Sequence, residues 1–206
     1  MKLLGQKNSI NVRKVLWTCA ELNLAPQCED WGGNTRDTSE PEFLKLNPKG
    51  LVPVLIDDGK VLSESNTICR YLAAREQRTD ILPGQPDLRA QVESWMDWQA
   101  TELNTAWRAV FMGRVRRHPD FQEPELQESA IRAWNAAMTL LDKHLNQSGP
   151  FVSGQTFTLA DVVLGLSTNR WELTPMHRPE LPAVEAWMER MSPRAGFVSY
   201  CRNGVA

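Results

Sequence analysis

The chain is short of the residues on which several kinds of function depend. Three histidines stand in 206 residues. His118, His144 and His177 are scattered, with no cysteine or carboxylate at ligand spacing, so no metal site is expected. The four cysteines, Cys19, Cys28, Cys69 and Cys201, include no Cys-x-x-Cys pair. That disfavours a dithiol exchanger and points to reduced thiols. Cys19 and Cys69 fall on apolar helical faces, where a free cysteine behaves as a small buried hydrophobe. Neither sign of charge is in excess: 23 Lys and Arg against 25 Asp and Glu leave a net charge of −2, with the basic residues dispersed. Such a chain has no electrostatic footprint for nucleic acid or an anionic membrane. No apolar run approaches the length of a bilayer span, and the apolar part of "MKLLGQKN" is too short for a signal peptide. A cytoplasmic protein with small-molecule or protein partners is therefore expected. Tyrosine is also scarce, with only Tyr71 and Tyr200.

What is present divides the chain into two textures. The first alternates short apolar runs with helical patterns, as α/β units do. "KLL" at Lys2 suits a buried strand, and Val12, Val15, Leu16, Cys19 and Leu22 then recur at helical spacing. "APQCEDW" is a second strand candidate, weakened by Pro26 and its charges. "TSEPEFLKLNPKG" has Ser39 and Glu42 three apart with Pro41 near the start, the pattern of a short capped helix. In "LVPVLIDDGKVLSES" two β-rich runs flank Asp57, Asp58 and Gly59, the composition of a tight hairpin. "SESNTICRYLAAREQ" follows as a helix capped by Ser63 or Ser65. The order is β-α-β-α-β-β-α over residues 1–78.

From "RTDILPGQPDL" turn residues cluster, and residues 79–87 read as a linker. Residues 88–206 are all helical in pattern: a long amphipathic run from Leu88 to about Arg117, a second from Pro124 to about Asn146, and "FTLADVVLGLSTNRWEL". The last opens with Thr158 and Asp161 at capping-box spacing and is apolar nearly all round, as a central buried helix would be. "LPAVEAWMERM" supplies one more helix. The fold class expected is therefore α/β followed by all-α.

Three motifs carry a resemblance. "NPKGLVPVL" resembles the Asn-Pro-x-Gly-x-Val-Pro motif of the soluble glutathione transferases, "SESNTICRYL" their Glu-Ser-x-x-Ile motif, and "FTLADV" their second-domain capping motif. The similarity runs over essentially the whole chain and implies a thioredoxin-like first domain that binds glutathione, with a helical domain supplying the electrophile pocket. It implies a cis bond between Val52 and Pro53, leaving the backbone of Val52 to pair with an extended peptide. Glu64 would meet the ammonium of the γ-glutamyl group. Ser65, with the amides of the helix it opens, would hold the adjoining carboxylate. Lys49 is a candidate for the glycyl carboxylate and equally a solvated loop charge. The resemblance also implies a homodimer in detoxification that uses glutathione as co-substrate, with no metal or other cofactor.

The glutathione thiol would then lie beside "NSIN" at the start of the first helix. Members of the family use Tyr, Ser or Cys there. Tyr71 and Tyr200 are far away in sequence, and the first cysteine is Cys19, so Ser9 and Asn11 are the expected catalytic donors, a pattern similar to bacterial members with Asn-Ser-x-Asn. Asn8 is a cap or a spare donor, and simple helix capping remains the alternative for all three. Trp107, Phe111, Met112 and Trp171 are the candidates for an apolar electrophile pocket, with Arg108 and Arg114 able to bias it toward anions. Two other functions fit the same residues: a glutathione-dependent disulfide reductase or peroxidase, and a non-catalytic binding or regulatory protein.

Overall fold

The computed structural model describes residues 1–206. Strand β1 (Lys2–Leu4) leads into helix α1 (Ile10–Glu21), followed by β2 (Gln27–Glu29), α2 (Pro41–Leu46), β3 (Val54–Asp57), β4 (Lys60–Ser63) and α3 (Ser65–Arg75). The sheet has the order β2-β1-β3-β4, with β1 parallel to β2 and antiparallel to β3. The alternation of strand side chains decides which core each residue joins. Leu3 and its partner Leu55 enter the main core, whereas Leu4 and its partner Val54 join Trp31 and Phe43 in a smaller one. The β3–β4 turn has Asp58 and Gly59 both at positive φ, 46° and 79°, the conformation a two-residue hairpin requires.

The second half consists of α4 (Pro86–Trp98), α5 (Asn104–Arg114), α6 (Pro124–Ser148), α7 (Leu159–Leu173) and α8 (Pro182–Met191). The single long helix expected from Leu88 to Arg117 is two helices joined by a π-helical turn, Gln99–Leu103. Helix α7 is buried from Leu159 through Trp171, and Thr158 and Asp161 form the expected capping box. One core of 39 residues runs unbroken from the sheet through α1 and α3 into α4, α6, α7 and α8. At its centre Trp17 is fully buried, 6.0 Å from Phe157 and 5.6 Å from Phe197 between ring centroids. Gly165 and Gly196 permit that approach, since a Cβ on Gly196 would stand 2.3 Å from Trp17 Cδ1.

Two helix starts differ from expectation. The cap position of α2 is Glu40, and the Ser39 hydroxyl donates to Asp37 instead. The cap position of α3 is Glu64, with Ser65 already inside the helix, which frees the Ser65 hydroxyl for a partner outside it.

Candidate functional site

Helix α1 starts at a residue whose side chain does not cap it. Ser9 is extended (φ −68°, ψ 127°) and its carbonyl accepts from the amide of Arg13 at 2.9 Å, but its hydroxyl makes no cap bond. The donors that a capping serine would satisfy are thus left without a side-chain partner. Asn11, the second residue of the helix, is exposed. The Ser65 hydroxyl donates to Asn11 Oδ1 at 3.3 Å, which leaves the Asn11 amide hydrogens free as donors.

The loop from Asn47 to Pro53 forms the opposite wall. Buried Asn47 donates to the carbonyl of Leu51 at 2.7 Å and accepts from the amide of Lys49 at 3.3 Å, and Gly50 takes φ 64°. This fixes a tight path into Val52–Pro53, whose bond is cis. Neither the amide nor the carbonyl of Val52 has a protein partner, so an edge for an extended ligand is present. Across from it Glu64 has φ 70° and ψ 114°, a sparsely populated backbone conformation for a residue with a Cβ. Such outliers cost on the order of 1–3 kcal/mol and cluster at functional sites. Lys49 and Glu64 were expected at opposite ends of a tripeptide. Their side chains meet instead, Nζ to Oε1 at 2.6 Å, in a pair more than half exposed on each side.

These groups line two adjoining cavities. The smaller, about 80 Å³, is bounded by Asn11, Asn47, Val52, Pro53, Glu64 and Ser65. The larger, about 320 Å³, shares Asn11 and Val52 and adds Asn8, Ser9, Arg116 and Arg170. Arg170, on α7, is 4 % exposed. Its guanidinium carbon lies 4.4 Å from the centroid of Trp107 and 4.1 Å from that of Phe111, and its Nε has no hydrogen-bond partner. Burial, and after it repulsion from Arg13 and Arg116, pulls its pKa down to about 9, so it stays charged at neutral pH.

The aromatic electrophile wall is arranged differently from the expectation. Trp107 and Phe111 are in edge contact, 5.4 Å between centroids, but Arg170 covers them toward the cleft. Met112 is half-buried on the same helix and does not bound either cavity. Trp171 faces away: it is 5 % exposed, and its Nε1 donates to Asn135 Oδ1 on α6 at 2.9 Å. Arg114 is engaged by Gln127 and the carbonyl of Pro175, and Arg108 is exposed outside the cavity. The arginines at the cleft, Arg116 and Arg170, escaped the sequence reading. A signal for Arg170 existed, because a guanidinium inside a helix apolar nearly all round demands a reason. No cysteine bounds either cavity. Burial pushes Cys19 and Cys201 up to about 12 and Cys69 up to about 11, so all three are unionised thiols at neutral pH.

A four-stranded mixed sheet flanked by helices, followed by a helical half whose side chains close a cleft over the sheet's loops, defines a thioredoxin-like domain with an appended helical domain. The profile of the glutathione S-transferase N-terminal domain matches residues 8–75. The chain is 34% identical over 195 residues, 93% of each protein, to glutathione S-transferase GstB of Escherichia coli K12. It is 30% identical to glutathione S-transferase 3 of Zea mays, over 96% of this chain and 91% of that one. Among solved structures, a theta-class glutathione S-transferase from Xanthomonas axonopodis pv. citri with glutathione bound superposes with a TM-score of 0.92. The two chains are 33% identical, and the match covers 100% of this chain and 98% of that one. The chain belongs to the glutathione S-transferase family.

Proposed function

We propose that the protein is a glutathione transferase of the bacterial Asn-Ser-x-Asn type. Residues 1–78 bind glutathione, residues 88–206 contribute the wall that meets the electrophile, and residues 79–87 connect them. The observation that carries this reading is the uncapped Ser9 hydroxyl facing one cleft with the unpaired backbone of Val52. The cysteinyl backbone of glutathione pairs with Val52. Ser65 and the first amides of α3 take the γ-glutamyl carboxylate, and Glu64, exchanging its contact with Lys49, takes the ammonium. Lys49 is then released toward the glycyl carboxylate. Glutathione is a co-substrate and no other cofactor is invoked.

The thiol lies over Ser9 and Asn11. A free thiol titrates near pH 8.5, and lowering that by about two units needs about 2.7 kcal/mol of preferential stabilisation of the thiolate. A helix N-terminus supplies about 0.3–1 kcal/mol, and each hydrogen bond to a charged acceptor about 1.5–3 kcal/mol. Two neutral donors are therefore sufficient, and no general base is required. The thiolate attacks a small electrophile whose apolar part rests against Ile10 and Leu51, which bound the larger cavity. On the family resemblance we also propose a cytoplasmic homodimer acting in detoxification.

The test compares conjugation of glutathione to a reactive aryl halide with glutathione-dependent disulfide reduction, in wild type and in Ser9→Ala and Asn11→Ala. Conjugation is expected to dominate, and each variant to lose about 10- to 100-fold in kcat/KM, the equivalent of one charge-assisted bond. Dominant disulfide reduction would replace the transferase reading with the reductase one. Absence of both activities and of glutathione binding would leave a non-catalytic member of the fold.

A further inference from the structure

The larger cavity has a charge imbalance that the transferase reading does not use. Arg170 and Arg116 both bound it, and no carboxylate does. Arg170 is buried, and its guanidinium has no hydrogen-bond or ion-pair partner in the protein. Its guanidinium lies instead over the faces of Trp107 and Phe111. Arg116 is exposed, likewise forms no ion pair, and lies 5.6 Å from the centroid of Phe111. A buried cation without an anion is costly, and one that lines a cleft offers an anionic ligand the pairing the protein does not supply. The planar fork of arginine stacks on aromatic rings and still presents its donors edge-on to a carboxylate.

The thiolate does not account for this charge. It is already served by Ser9, Asn11 and the α1 N-terminus, and a single anion would still leave one of the two guanidiniums unmatched. Both arginines come from the helical half, the side from which the electrophile enters. Resting on the transferase reading, we infer that the cleft selects electrophiles that carry a carboxylate, held by Arg170 from its seat on Trp107 and Phe111, with Arg116 at the rim. In the probe reaction the thiolate sulfur forms a bond to the chlorine-bearing ring carbon. The carbon–chlorine bond then breaks, chloride departs with the bonding pair, and the thiol proton goes to solvent.

Two matched probes test this: a chlorodinitrobenzoate and the corresponding chlorodinitrobenzamide, which differ only in a carboxylate against a neutral amide. The readout is the ratio of their kcat/KM values on one enzyme sample, each divided by the uncatalysed rate constant of that probe with glutathione, so that it is insensitive both to the fraction of protein folded and to the different electron withdrawal of the two substituents. Wild type is expected to favour the benzoate about tenfold or more, as a hydrogen bond to a charged group implies. Arg170→Met, which retains an apolar contact with the rings, is expected to bring the ratio near one, and Arg170→Lys to restore part of it. Arg116→Gln, at an exposed position where substitutions usually change stability little, is expected to lower the ratio by a smaller factor. A wild-type ratio of one or less, or a ratio unchanged in both Arg170→Met and Arg116→Gln, overturns the inference. So does a rise in the glutathione dissociation constant of Arg170→Met equal to the fall in the ratio, because the cation would then belong to glutathione. Calorimetric titration of wild type with glutathione separates the two levels. Binding without a benzoate preference defeats the inference alone, whereas no binding defeats the transferase reading with it.

Discussion

Ser9, Asn11 and Glu64 are each in a state that the fold does not need. A serine at a helix cap position ordinarily spends its hydroxyl on a first-turn amide, and the Ser9 hydroxyl is instead free in the cleft. Asn11 is oriented by Ser65, a contact across 54 residues that no local pattern shows. Glu64 occupies the most unfavourable backbone conformation near the site, at φ 70°. Glu64→Gly is therefore expected to raise stability to denaturant by about 0.5–1 kcal/mol, because glycine adopts positive φ freely. The same change removes the carboxylate and is expected to weaken glutathione binding by about tenfold or more. Urea unfolding and calorimetric titration of one preparation measure both effects. A variant that loses stability would show that the backbone at Glu64 is not strained.

The elements that hold the site are tied by buried carboxylates. Asp57, at the end of β3, accepts from Tyr71 Oη at 2.8 Å and from Arg75, both on α3. Burial by itself would raise the Asp57 pKa, but the hydrogen bonds from Tyr71 and Arg75 and the Arg75 charge outweigh it and hold the carboxyl below its ordinary value. The sign of the pH dependence follows. The unfolded chain binds the proton more readily, so this contribution is full above the ordinary carboxylate pKa and fades as pH falls through the lower folded value. Asp57→Asn is expected to cost about 1–3 kcal/mol at neutral pH. The penalty should shrink as pH falls below the ordinary carboxylate range, read from denaturant midpoints at neutral and at acid pH. The hairpin and the Thr158–Asp161 box were legible because each is a local pattern with one geometric solution. The caps of α2 and α3 were not, since Ser39 and Ser65 each found partners that sequence spacing does not reveal.

Across the whole molecule, the two halves share a polar contact inside the common core. Lys14 on α1 is buried and donates to Gln99 Oε1 at 2.7 Å and to Asn66 Oδ1 at 3.3 Å, and Gln99 passes a hydrogen bond to Ser167 on α7 at 3.0 Å. The π-helical turn begins at Gln99. Burial lowers the Lys14 pKa to about 8 from 10.5. Between those values the unfolded chain holds the proton more often, so stability rises with pH, by about 1.4 kcal/mol per pH unit from this group. Lys14→Met removes this component. The stability of wild type relative to the variant is therefore expected to grow from about pH 8 to about pH 10 in equilibrium unfolding. A constant difference would show that Lys14 is charged throughout that range.

By itself the sequence determined the order of elements, the hairpin, the cap of α7 and the burial of Cys19 and Cys69. Each of these is set by local backbone preference or by the periodicity of apolar residues. Tertiary structure decided which donors were left free and which side chains line the cleft. Trp107 and Phe111 read as an apolar wall, yet a guanidinium placed 63 residues after Trp107 in the chain lies over both rings. Whether an aromatic face meets ligand or cation depends on how α5 and α7 pack, and packing between distant segments is not encoded in the spacing of either one.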